Sequence, residues 1–412
     1  MVKKLLIPFL SGVIVGNSFA AAYKIPEQSN RSMATSGAYM SSANSADASY
    51  YCPSNMSWME NNSNVEVGLR YIILPSIQFE GQALDPVQQT FVIADAKSRE
   101  EHFLIPYFHY VSPELGDFRL GVSLVTPGGL SKRWTAKIPK ATAEEFTLKI
   151  IELSTNLSYK LSENLAVAAG IRGVYATGEV KYQYPPFYSM DLKGDTSTKI
   201  GYDVSLTVKP TKKVNFSVLY RSKVNLKLEG DANGYLENHA ISPHGGSVMV
   251  PLPAELRVGT SYNTGKTTFE FTYEKTFWSS YEKLDFDFDD PVIEDPDIAG
   301  SKLGLPQPKN WEDSNTFRFG ITHHINQKWT GIVGIAYDET PIPEKSVGFE
   351  LPDSNAWIFS FGGIYKPSQR VEIGFAYLYV TKFDREITNS KVNGIFSDLS
   401  ARLFNVSVGY TF

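Results

Sequence analysis

The sequence predicts an all-β protein: a 14-stranded antiparallel transmembrane β-barrel. Most of the chain alternates between apolar and polar side chains with period two, which is typical of strands with one apolar face and one wet face. The number of such segments is even, and the links between them alternate between tight turns and long loops, as in outer-membrane barrels. No run of eighteen apolar residues follows the N-terminus, so the sequence predicts no transmembrane helix.

The first twenty residues have the pattern of a secretory signal peptide. Two lysines precede an apolar run over residues 5–16, and small residues follow at Ser18 and Ala20. We therefore expect residues 1–20 to be removed, with cleavage after Ala20 or, alternatively, after Ala22.

The remaining chain divides into two parts. Residues 21–63 contain a stretch rich in Ser, Ala and Asn, and residues 64–412 carry the alternating pattern. The predicted strands cover residues 64–74, 102–112, 118–127, 146–161, 165–182, 196–209, 214–229, 254–262, 267–286, 314–325, 329–340, 356–366, 371–384 and 400–412.

The competing interpretation is a soluble β-sandwich. Sandwich strands average about five to six residues, whereas many segments here reach about ten or more, the length of a tilted bilayer crossing. Aromatic residues lie towards strand ends, where an interfacial girdle would place them, as with Trp278, Trp329, Trp357, Tyr377 and Tyr379. A closed barrel also leaves no strand edge unpaired in lipid. The barrel is therefore favoured.

Composition excludes other classes of protein. Lys and Arg number 39 against 44 Asp and Glu, for a net charge of −5, so there is no basic excess for nucleic acid. One cysteine allows neither a disulfide framework nor a thiolate metal cluster. His323 and His324 are adjacent on a strand and point to opposite faces, and no GxSxG motif occurs. We expect no catalytic activity, no metal and no cofactor.

Four segments resemble the FadL-type transporters of long-chain fatty acids and hydrocarbons in Gram-negative outer membranes. They are AYKIPEQSNRSMATSGAYMSSANSADASYYCPSNMSWM from Ala22, YRSKVNLKLEGDA from Tyr220, TFWSSYEKLDFDF from Thr276 and IAYDETPIPEKSVGFELPDSNAWIFSFGG from Ile335. The resemblance covers essentially the whole mature chain. It implies an outer-membrane location and a hatch formed by residues 21–63 inside the barrel.

The resemblance assigns Tyr23, Ile25, Cys52 and Pro53 to the hatch. The family commonly has Asn-Pro-Ala where this chain has Cys52-Pro53-Ser54. Pro53 keeps the fixed backbone angle of a tight segment. A thiol hydrogen-bonds more weakly than the Asn amide, so we expect weaker anchoring by this residue.

A fatty acid needs an apolar path for its tail and cationic or polar donors for its carboxylate. If the apolar face of each strand contacts lipid, the opposite face brings five basic residues to the lumen: Arg172, Arg221, Lys223, Arg257 and Arg318. Arginine can hold a carboxylate with two hydrogen bonds. The alternative is that these are ordinary lumen charges paired with Glu255, Glu270 and Glu274.

The third long loop contains several apolar residues, among them Phe187, Tyr188, Met190 and Leu192. Exposed apolar clusters often mark a capture surface, and the resemblance implies a capture groove formed by the third and fourth long loops. The alternative is that these residues pack on neighbouring loops.

The third strand reaches Pro127, Gly128 and Gly129, which cannot continue regular pairing. A break there could open the barrel wall sideways into the bilayer, and the resemblance implies such a lateral exit. The alternative is that the strand ends here and the second long loop begins.

The functional hypothesis is a channel that takes up long-chain fatty acids, captured at the outer loops and released laterally into the membrane. The alternatives are a channel for aromatic hydrocarbons and a general diffusive porin or adhesin. The expected partners are the hydrophobic ligand, the lipid bilayer, lipopolysaccharide and the barrel assembly machinery, which would recognise the terminal Phe412. We expect a monomer that binds no nucleic acid.

Overall fold

The structure, a computed structural model, describes residues 22–237, 239–289 and 305–412. These residues form a closed barrel of fourteen antiparallel strands, which confirms the predicted fold class. The predicted signal peptide lies outside the described residues. The barrel strands are β1 Asn64–Leu74, β2 Glu101–Val111, β3 Phe118–Arg133, β4 Glu145–Ser162, β5 Leu165–Tyr184, β6 Lys199–Thr211, β7 Val214–Arg221, β8 Glu255–Asn263, β9 Thr267–Thr276, β10 Ser314–His324, β11 Trp329–Asp338, β12 Ala356–Tyr365, β13 Val371–Lys382 and β14 Ser400–Thr411.

The first and last strands close the barrel. Asn64 of β1 lies opposite Thr411 of β14, and the backbone N–H of Phe412 donates to the carbonyl of Ser63 at 3.0 Å. Both ends of the barrel segment therefore lie on the side of the tight turns, which we call the short-turn end. The opposite side is the long-loop end.

The alternation in the sequence corresponds to the two faces of the wall. On β14, Val406 and Val408 are 60% and 49% exposed, whereas Asn405 and Ser407 face the interior and are buried. Apolar side chains on the outer face suit contact with lipid. The backbone groups are paired within the closed sheet, so they also need no partner from the lipid. The predicted orientation of this strand is correct.

The predicted aromatic girdle is correct only in part. Trp329 and Trp357 are exposed on the outer surface. The predicted strand over residues 267–286 ends at Thr276, so Trp278 follows the strand and turns inward. It is completely buried, and its assignment to the girdle is wrong.

Residues 22–63, which we call the hatch, lie inside the barrel. They contain α1 Asn30–Ala34, α2 Ala48–Tyr51 and a 3₁₀-helix over Pro53–Trp58. Helix α1 begins after Ser29, whose side chain accepts a hydrogen bond from the Ser32 N–H at 3.2 Å. Most hatch side chains are buried against the inner wall. No helix among the described residues is long and apolar enough to cross a membrane.

The barrel wall has a gap beside β3. Strands β2 and β3 pair only from Phe108, opposite Leu124, to the end of β2. Towards the long-loop end, the rest of β2 has no ladder with β3 in the described structure. One extra residue on β3 also shifts its register with β4 between Val125 and Gly128. We call the unpaired stretch between β2 and β3 the wall gap.

The hatch takes the place of β2 along this part of β3. The Ile25 N–H donates to the Pro127 carbonyl, and the Gly129 N–H donates to the Tyr23 carbonyl, both at 2.8 Å. A Cβ at Gly128 would lie 3.0 Å from the Tyr23 carbonyl oxygen, so glycine permits this close approach. The strand therefore continues to its end at residue 133, and the alternative that it stops at Pro127 is wrong.

Further elements cover the long-loop end. They are α3 Lys137–Ala143, two 3₁₀-turns at Trp278–Ser280 and Glu344–Ser346, and the strands Gln78–Leu84, Phe91–Ile93, Ala96–Lys97, Tyr188–Asp195, Val224–Leu236, His239–Leu252, Lys283–Leu284, Phe286–Phe288, Gln307–Pro308, Arg385–Thr388 and Val392–Ser397. Four of them extend the sheet beyond β5 in the order Tyr188–Asp195, Val224–Leu236, His239–Leu252 and Phe286–Phe288. We call these four strands the sheet extension.

The predicted strand over residues 214–229 is two strands. Strand β7 ends at Arg221, and the next strand begins at Val224. Arg221 and Ser222 are both buried, so the alternation changes phase between the two strands. Lys223 is consequently exposed on the outer side, and the prediction that it faces the lumen is wrong.

Candidate functional site

The barrel interior has two layers. The hatch and a network of buried charges fill the layer nearer the short-turn end, and an apolar cavity lies in the layer nearer the long-loop end. The two layers meet at two adjacent residues of the hatch. Tyr23 lines the apolar cavity, and Lys24 is one of the buried charged residues.

We define the charged network as nine buried residues: Lys24, Glu27, Glu152, Arg172, Arg221, Glu255, Arg257, Glu274 and Arg318. The Lys24 ammonium lies 2.5 Å from Glu255 and 2.6 Å from Glu274. Arg257 pairs with the same two carboxylates, at 3.1 and 2.9 Å. Buried charges are tolerated when they are paired in this way, and removal of one partner is costly. The network therefore fastens the hatch to the wall.

Four of the predicted head-group residues belong to this network: Arg172, Arg221, Arg257 and Arg318. Arg172 lies 2.7 Å from Glu152. Arg221 stacks on the Tyr50 ring at 3.7 Å and donates to the Tyr50 carbonyl at 2.8 Å. None of the four lines the apolar cavity. The arrangement favours the alternative in which these arginines are lumen charges paired with carboxylates.

Glu270 has a different partner from the one considered in that alternative. It accepts hydrogen bonds from the backbone N–H groups of Met40 at 2.6 Å and Ser42 at 3.1 Å. Glu270 therefore binds the turn between the two hatch helices, and not one of the predicted arginines.

The Cys52-Pro53-Ser54 segment is buried against β6. The Cys52 thiol lies 3.3 Å from the Thr207 hydroxyl, which is 2.9 Å from the Ser54 hydroxyl. The Ser54 N–H donates to the Ser205 hydroxyl at 3.0 Å. Neighbouring Ser and Thr groups thus supply hydrogen bonds beside the thiol.

The empty space in and around the apolar cavity is about 840 Å³ when the adjoining open solvent is counted, and about 90 Å³ of it has room for the centre of a water molecule. Tyr23 lies at its boundary with the hatch, and β4, β5 and the sheet extension contribute its walls. Its apolar lining is Leu130, Phe146, Leu148, Val180, Leu192, Leu228, Val248, Val250, Leu284, Phe286, Phe288 and Leu351.

An aromatic cluster holds Tyr23 in place. Its ring lies edge-on to Trp278, with centroids 4.7 Å apart, and Trp311 packs on Trp278 at 5.0 Å. Tyr281 packs edge-on to Trp311 at 4.8 Å. Such edge-to-face pairs stabilise the cluster beyond the area that they bury.

Two hydrogen-bond donors stand in the cavity wall. The Lys309 ammonium lies 2.6 Å from a Glu350 carboxylate oxygen. Trp311 is 5% exposed, and its indole N–H has no hydrogen-bond partner within the described ranges. Backbone bonds from Lys309 to the Glu282 carbonyl at 2.8 Å and from Trp311 to the Tyr281 carbonyl at 3.2 Å fix both positions. These groups suit an acceptor such as a carboxylate.

Glu350 is ionised beside Lys309. Burial alone would raise the pKa of its carboxyl, but the charges of Lys309 and Lys391 outweigh burial and hold that pKa below its ordinary value. The Lys309 ammonium therefore has one carboxylate partner at neutral pH and keeps further N–H donors for a ligand.

The wall gap lies close to the cavity. A polar groove beside the wall gap is lined by Phe103 of β2 and Ser131 of β3. This groove adjoins the apolar cavity, because the two share the lining residues Thr147, Leu148, Gly178, Lys193, Gly194, Gly230 and Asp231.

The predicted exposed cluster in the third long loop is wrong for three of its four residues. Tyr188, Met190 and Leu192 are buried, and Leu192 lines the apolar cavity. Phe187 is 38% exposed. The strand that carries these residues pairs with β5, which turns one of its faces inward.

No group of three or more His, Cys, Asp or Glu that could hold a metal occurs in the part of the chain that the structure describes. The rings of His323 and His324 bond to different strands, through Thr267 at 2.8 Å and Thr330 at 3.0 Å. The two side chains do not converge.

Comparison with known proteins identifies relatives over nearly the whole chain. The family model described as outer membrane protein transport protein (OMPP1/FadL/TodX) matches residues 12–412. Outer membrane protein P1 of Haemophilus influenzae is 21% identical over 366 residues, which cover 77% of each chain. The long-chain fatty acid transport protein of Escherichia coli O6:H1 is 22% identical over 366 residues, covering 77% of this chain and 79% of that protein.

Solved structures share the fold. A FadL homologue of Pseudomonas aeruginosa superposes with a TM-score of 0.82 at 18% identity, covering 95% of this chain and 99% of that one. The toluene transporter TodX of Pseudomonas putida superposes with a TM-score of 0.68 at 17% identity, covering 94% and 99%.

Proposed function

The chain belongs to the outer membrane transport protein family that includes FadL and TodX, and we propose that it takes up long-chain fatty acids through the apolar cavity. As a member of this family it is an outer-membrane channel of Gram-negative bacteria for hydrophobic substrates, and not an enzyme. The choice of fatty acids rests on one observation: the polar groups within the apolar cavity include a cation and an unpaired donor.

The lining of the cavity suits the tail. Aliphatic and aromatic side chains from β4, β5 and the sheet extension surround it. Each methylene group moved from water into such surroundings contributes about 0.8 kcal/mol. A long tail therefore gains most of its affinity here.

Lys309 and Trp311 suit the head group. A carboxylate between them would accept from the Lys309 ammonium and the Trp311 indole N–H, and it would satisfy a buried donor. An unsatisfied buried donor costs about 1–3 kcal/mol, and hydrogen bonds to charged groups contribute about 1.5–3 kcal/mol. This site replaces the predicted lumen arginines, whose charges are already paired.

Aromatic hydrocarbons are the second candidate, favoured by the aromatic cluster around Tyr23. A monoaromatic ring could pack edge-on against Tyr281 or Trp311, both of which line the cavity. Such a ligand would leave the Lys309 ammonium and the Trp311 N–H unused, which is why we place it second. A diffusive porin is disfavoured because the hatch fills the lumen of the barrel.

For release we propose the lateral route through the wall gap. The β2–β3 ladder stops at Phe108 and Leu124, and the hatch pairs with the edge of β3 at Pro127 and Gly129, while the Arg99 N–H donates to the Arg133 carbonyl at the far end of that edge. A movement of the hatch would free this edge without breaking a barrel ladder. Capture of the ligand at the third long loop remains a prediction. Of the four residues proposed for it, Phe187 is the exposed one.

The test is equilibrium binding of oleate and toluene to purified Lys309→Met protein. Oleate affinity should fall about tenfold to a hundredfold, the equivalent of the roughly 1.5–3 kcal/mol of a charge-assisted hydrogen bond, while toluene affinity stays within twofold. Lys391→Met is the matched control, because Lys391 also acts on Glu350 but does not line the cavity. Unchanged oleate binding, or equal losses for both ligands, would contradict the proposal.

A further inference from the structure

Arg70 of β1 is a buried arginine without an ion-pair partner among the described residues. It is 0% exposed, and no carboxylate oxygen in that part of the chain lies within 4.0 Å of its guanidinium. Its Nε and Nη1 atoms have no hydrogen-bond acceptor there either. Glu27 acts on the charge of Arg70 from a greater distance, and Glu27 lies 3.8 Å from Arg318. A buried cation in this state has interactions left to offer an anion.

The guanidinium of Arg70 contacts the hatch through the side chain of Gln28. Its Nη2 donates to the Gln28 amide oxygen at 3.0 Å, and the Thr126 backbone N–H of β3 donates to the same oxygen at 3.1 Å. The amide nitrogen of Gln28 donates to the carbonyls of Thr126 at 2.7 Å and Ile25 at 2.5 Å. Donors meet the oxygen and acceptors meet the nitrogen, so the contacts fix the orientation of the amide.

These contacts lie directly behind the wall gap. Arg70 is opposite Ile105, which belongs to the part of β2 that has no ladder with β3 among the described residues. Thr126 follows Val125, where the register of β3 with β4 begins to shift. The Gln28 side chain therefore pairs with the edge of β3 at the place where a ladder with β2 would otherwise continue.

Apolar side chains lie between Arg70 and the outside of the gap. Ile25, Ile72, Phe103 and Ile105 are buried in one apolar cluster. Phe103 also lines the polar groove beside the wall gap. A cation at the inner end of an apolar cluster that reaches an opening matches the two parts of a fatty acid, its head group and its tail.

We propose that Arg70 and the Thr126 N–H form a second carboxylate site, which the fatty acid occupies as it leaves through the wall gap and which the Gln28 amide oxygen fills while no ligand is there. The inference rests on the proposed function and adds an anion-binding step to release. Amide and carboxylate oxygens accept the same hydrogen bonds, so a carboxylate can replace Gln28 at both donors. Nη2 of Arg70 then joins Nε or Nη1 in a two-donor fork, which suits both oxygens of a carboxylate.

The first test removes the amide and offers a small carboxylate in its place. Gln28→Ala leaves Arg70 and the Thr126 N–H without this acceptor. Thermal unfolding of the purified variant in detergent micelles is followed with increasing sodium acetate, and with sodium chloride at the same concentrations. Acetate should raise Tm saturably by about 2 °C or more, and chloride by less than half as much. Gln28→Ala/Arg70→Met should not respond to acetate.

Asn55→Ala is the matched control. Asn55 is another buried amide of the hatch, and its side chain donates to the backbone carbonyls of Met40 at 2.9 Å and Ser41 at 3.2 Å. Acetate should not stabilise this variant. A Gln28→Ala protein that ignores acetate, responds equally to chloride, or responds no more than Asn55→Ala would overturn the inference.

Uptake by cells separates a carboxylate site from a structural role, and it decides the matter if Gln28→Ala does not fold. Arg70→Met should slow uptake of labelled oleate about tenfold, because a charge-assisted hydrogen bond is lost. Uptake of labelled oleyl alcohol, the same chain without the charge, should stay within twofold, and Arg70→Lys should retain most oleate uptake. Equal losses for both ligands, or no loss for oleate, would mean that Arg70 does not bind the carboxylate.

Two results distinguish this inference from the proposed function. If Lys309→Met weakens oleate binding but acetate and Arg70→Met have no effect, the proposed function stands and the second site is wrong. If the wild type does not bind oleate but acetate stabilises Gln28→Ala, the fatty-acid proposal fails and the carboxylate site at Arg70 stands.

Discussion

The two halves of the barrel interior differ in what surrounds their charged groups. Near the short-turn end, Lys24 and the lumen arginines face carboxylates at short distances. Near the long-loop end, the cavity holds the paired ammonium of Lys309 and the unpaired indole N–H of Trp311, surrounded by apolar side chains. Burial is similar in both halves, so burial and charge alone do not identify the ligand site.

The difference separates a structural role from a binding role. A charge that is already neutralised stabilises the hatch, because any ligand would have to displace a carboxylate or the backbone that it contacts. An unpaired donor beside empty apolar space has an unused interaction to offer. This contrast can be tested from both sides.

Of the changes considered, the substitution of Glu274 in the charged network should have the largest effect, and this effect is on the stability of the protein. Glu274→Ala would leave Lys24, Arg257 and Arg318 with one fewer carboxylate, so the free energy of unfolding should fall by about 3–5 kcal/mol. Unfolding by denaturant in detergent micelles measures this loss.

The control for Glu274→Ala is an exposed ion pair on the same barrel. Glu163, whose side chain is 88% exposed, pairs with Lys160 at 2.8 Å. Glu163→Ala should change the free energy of unfolding by less than about 1 kcal/mol. Equal effects of the two substitutions would mean that the buried network does not stabilise the hatch.

Deletion of Pro127 should separate transport from binding. It removes the extra residue between Val125 and Gly128, so β3 can pair regularly with β4 and extend its ladder with β2 across the wall gap. Uptake of labelled oleate by cells should fall at least tenfold, while binding to purified protein stays within twofold.

Pro127→Ala keeps the residue count and therefore the register shift, so this control should transport oleate like the wild type. Undiminished uptake by a folded deletion variant would exclude the wall gap as the exit. The ligand would then pass towards the periplasm beside a displaced hatch.

Glu350→Gln should have the smallest effect and the opposite sign. The substitution removes the negative charge of residue 350, so this carboxylate no longer competes with the ligand for Lys309. Oleate should therefore bind about threefold more tightly, the scale of a partly exposed ion pair. Glu344→Gln, in the same loop but away from the cavity, is the control. Weaker oleate binding in Glu350→Gln would show that Glu350 positions Lys309 instead of competing for it.

The same carboxylate gives a pH dependence with a definite sign. Because the pKa of Glu350 in the folded protein is below its ordinary value, its pair with Lys309 contributes stability above the ordinary carboxyl range. That contribution is lost as the pH falls through the folded pKa. Glu350→Gln should therefore lose less stability on acidification than the wild type.

The sequence predicted the barrel because lipid imposes a simple rule on it. Outer positions must be apolar and inner ones polar along each crossing, so period two, turn length and strand count were all visible in the chain. This rule applies only to the residues that cross the membrane. Beyond Arg221 the apolar face turns inward, so Lys223 was placed on the wrong side, and Tyr188, Met190 and Leu192 were expected to be exposed.

The cavity could not be located by the same reasoning. Lys309 and Trp311 lie in a long loop without periodicity, and pairing of Lys283–Leu284 with Gln307–Pro308 brings them to the wall.

A crystal structure with bound oleate tests the central claim most directly. The carboxylate should lie within about 3.2 Å of Lys309 Nζ and Trp311 Nε1, with Arg221 still stacked on Tyr50. A carboxylate bound instead to Arg221 or Arg257, with Lys24 displaced from Glu255 and Glu274, would contradict the assignment of binding to the apolar cavity.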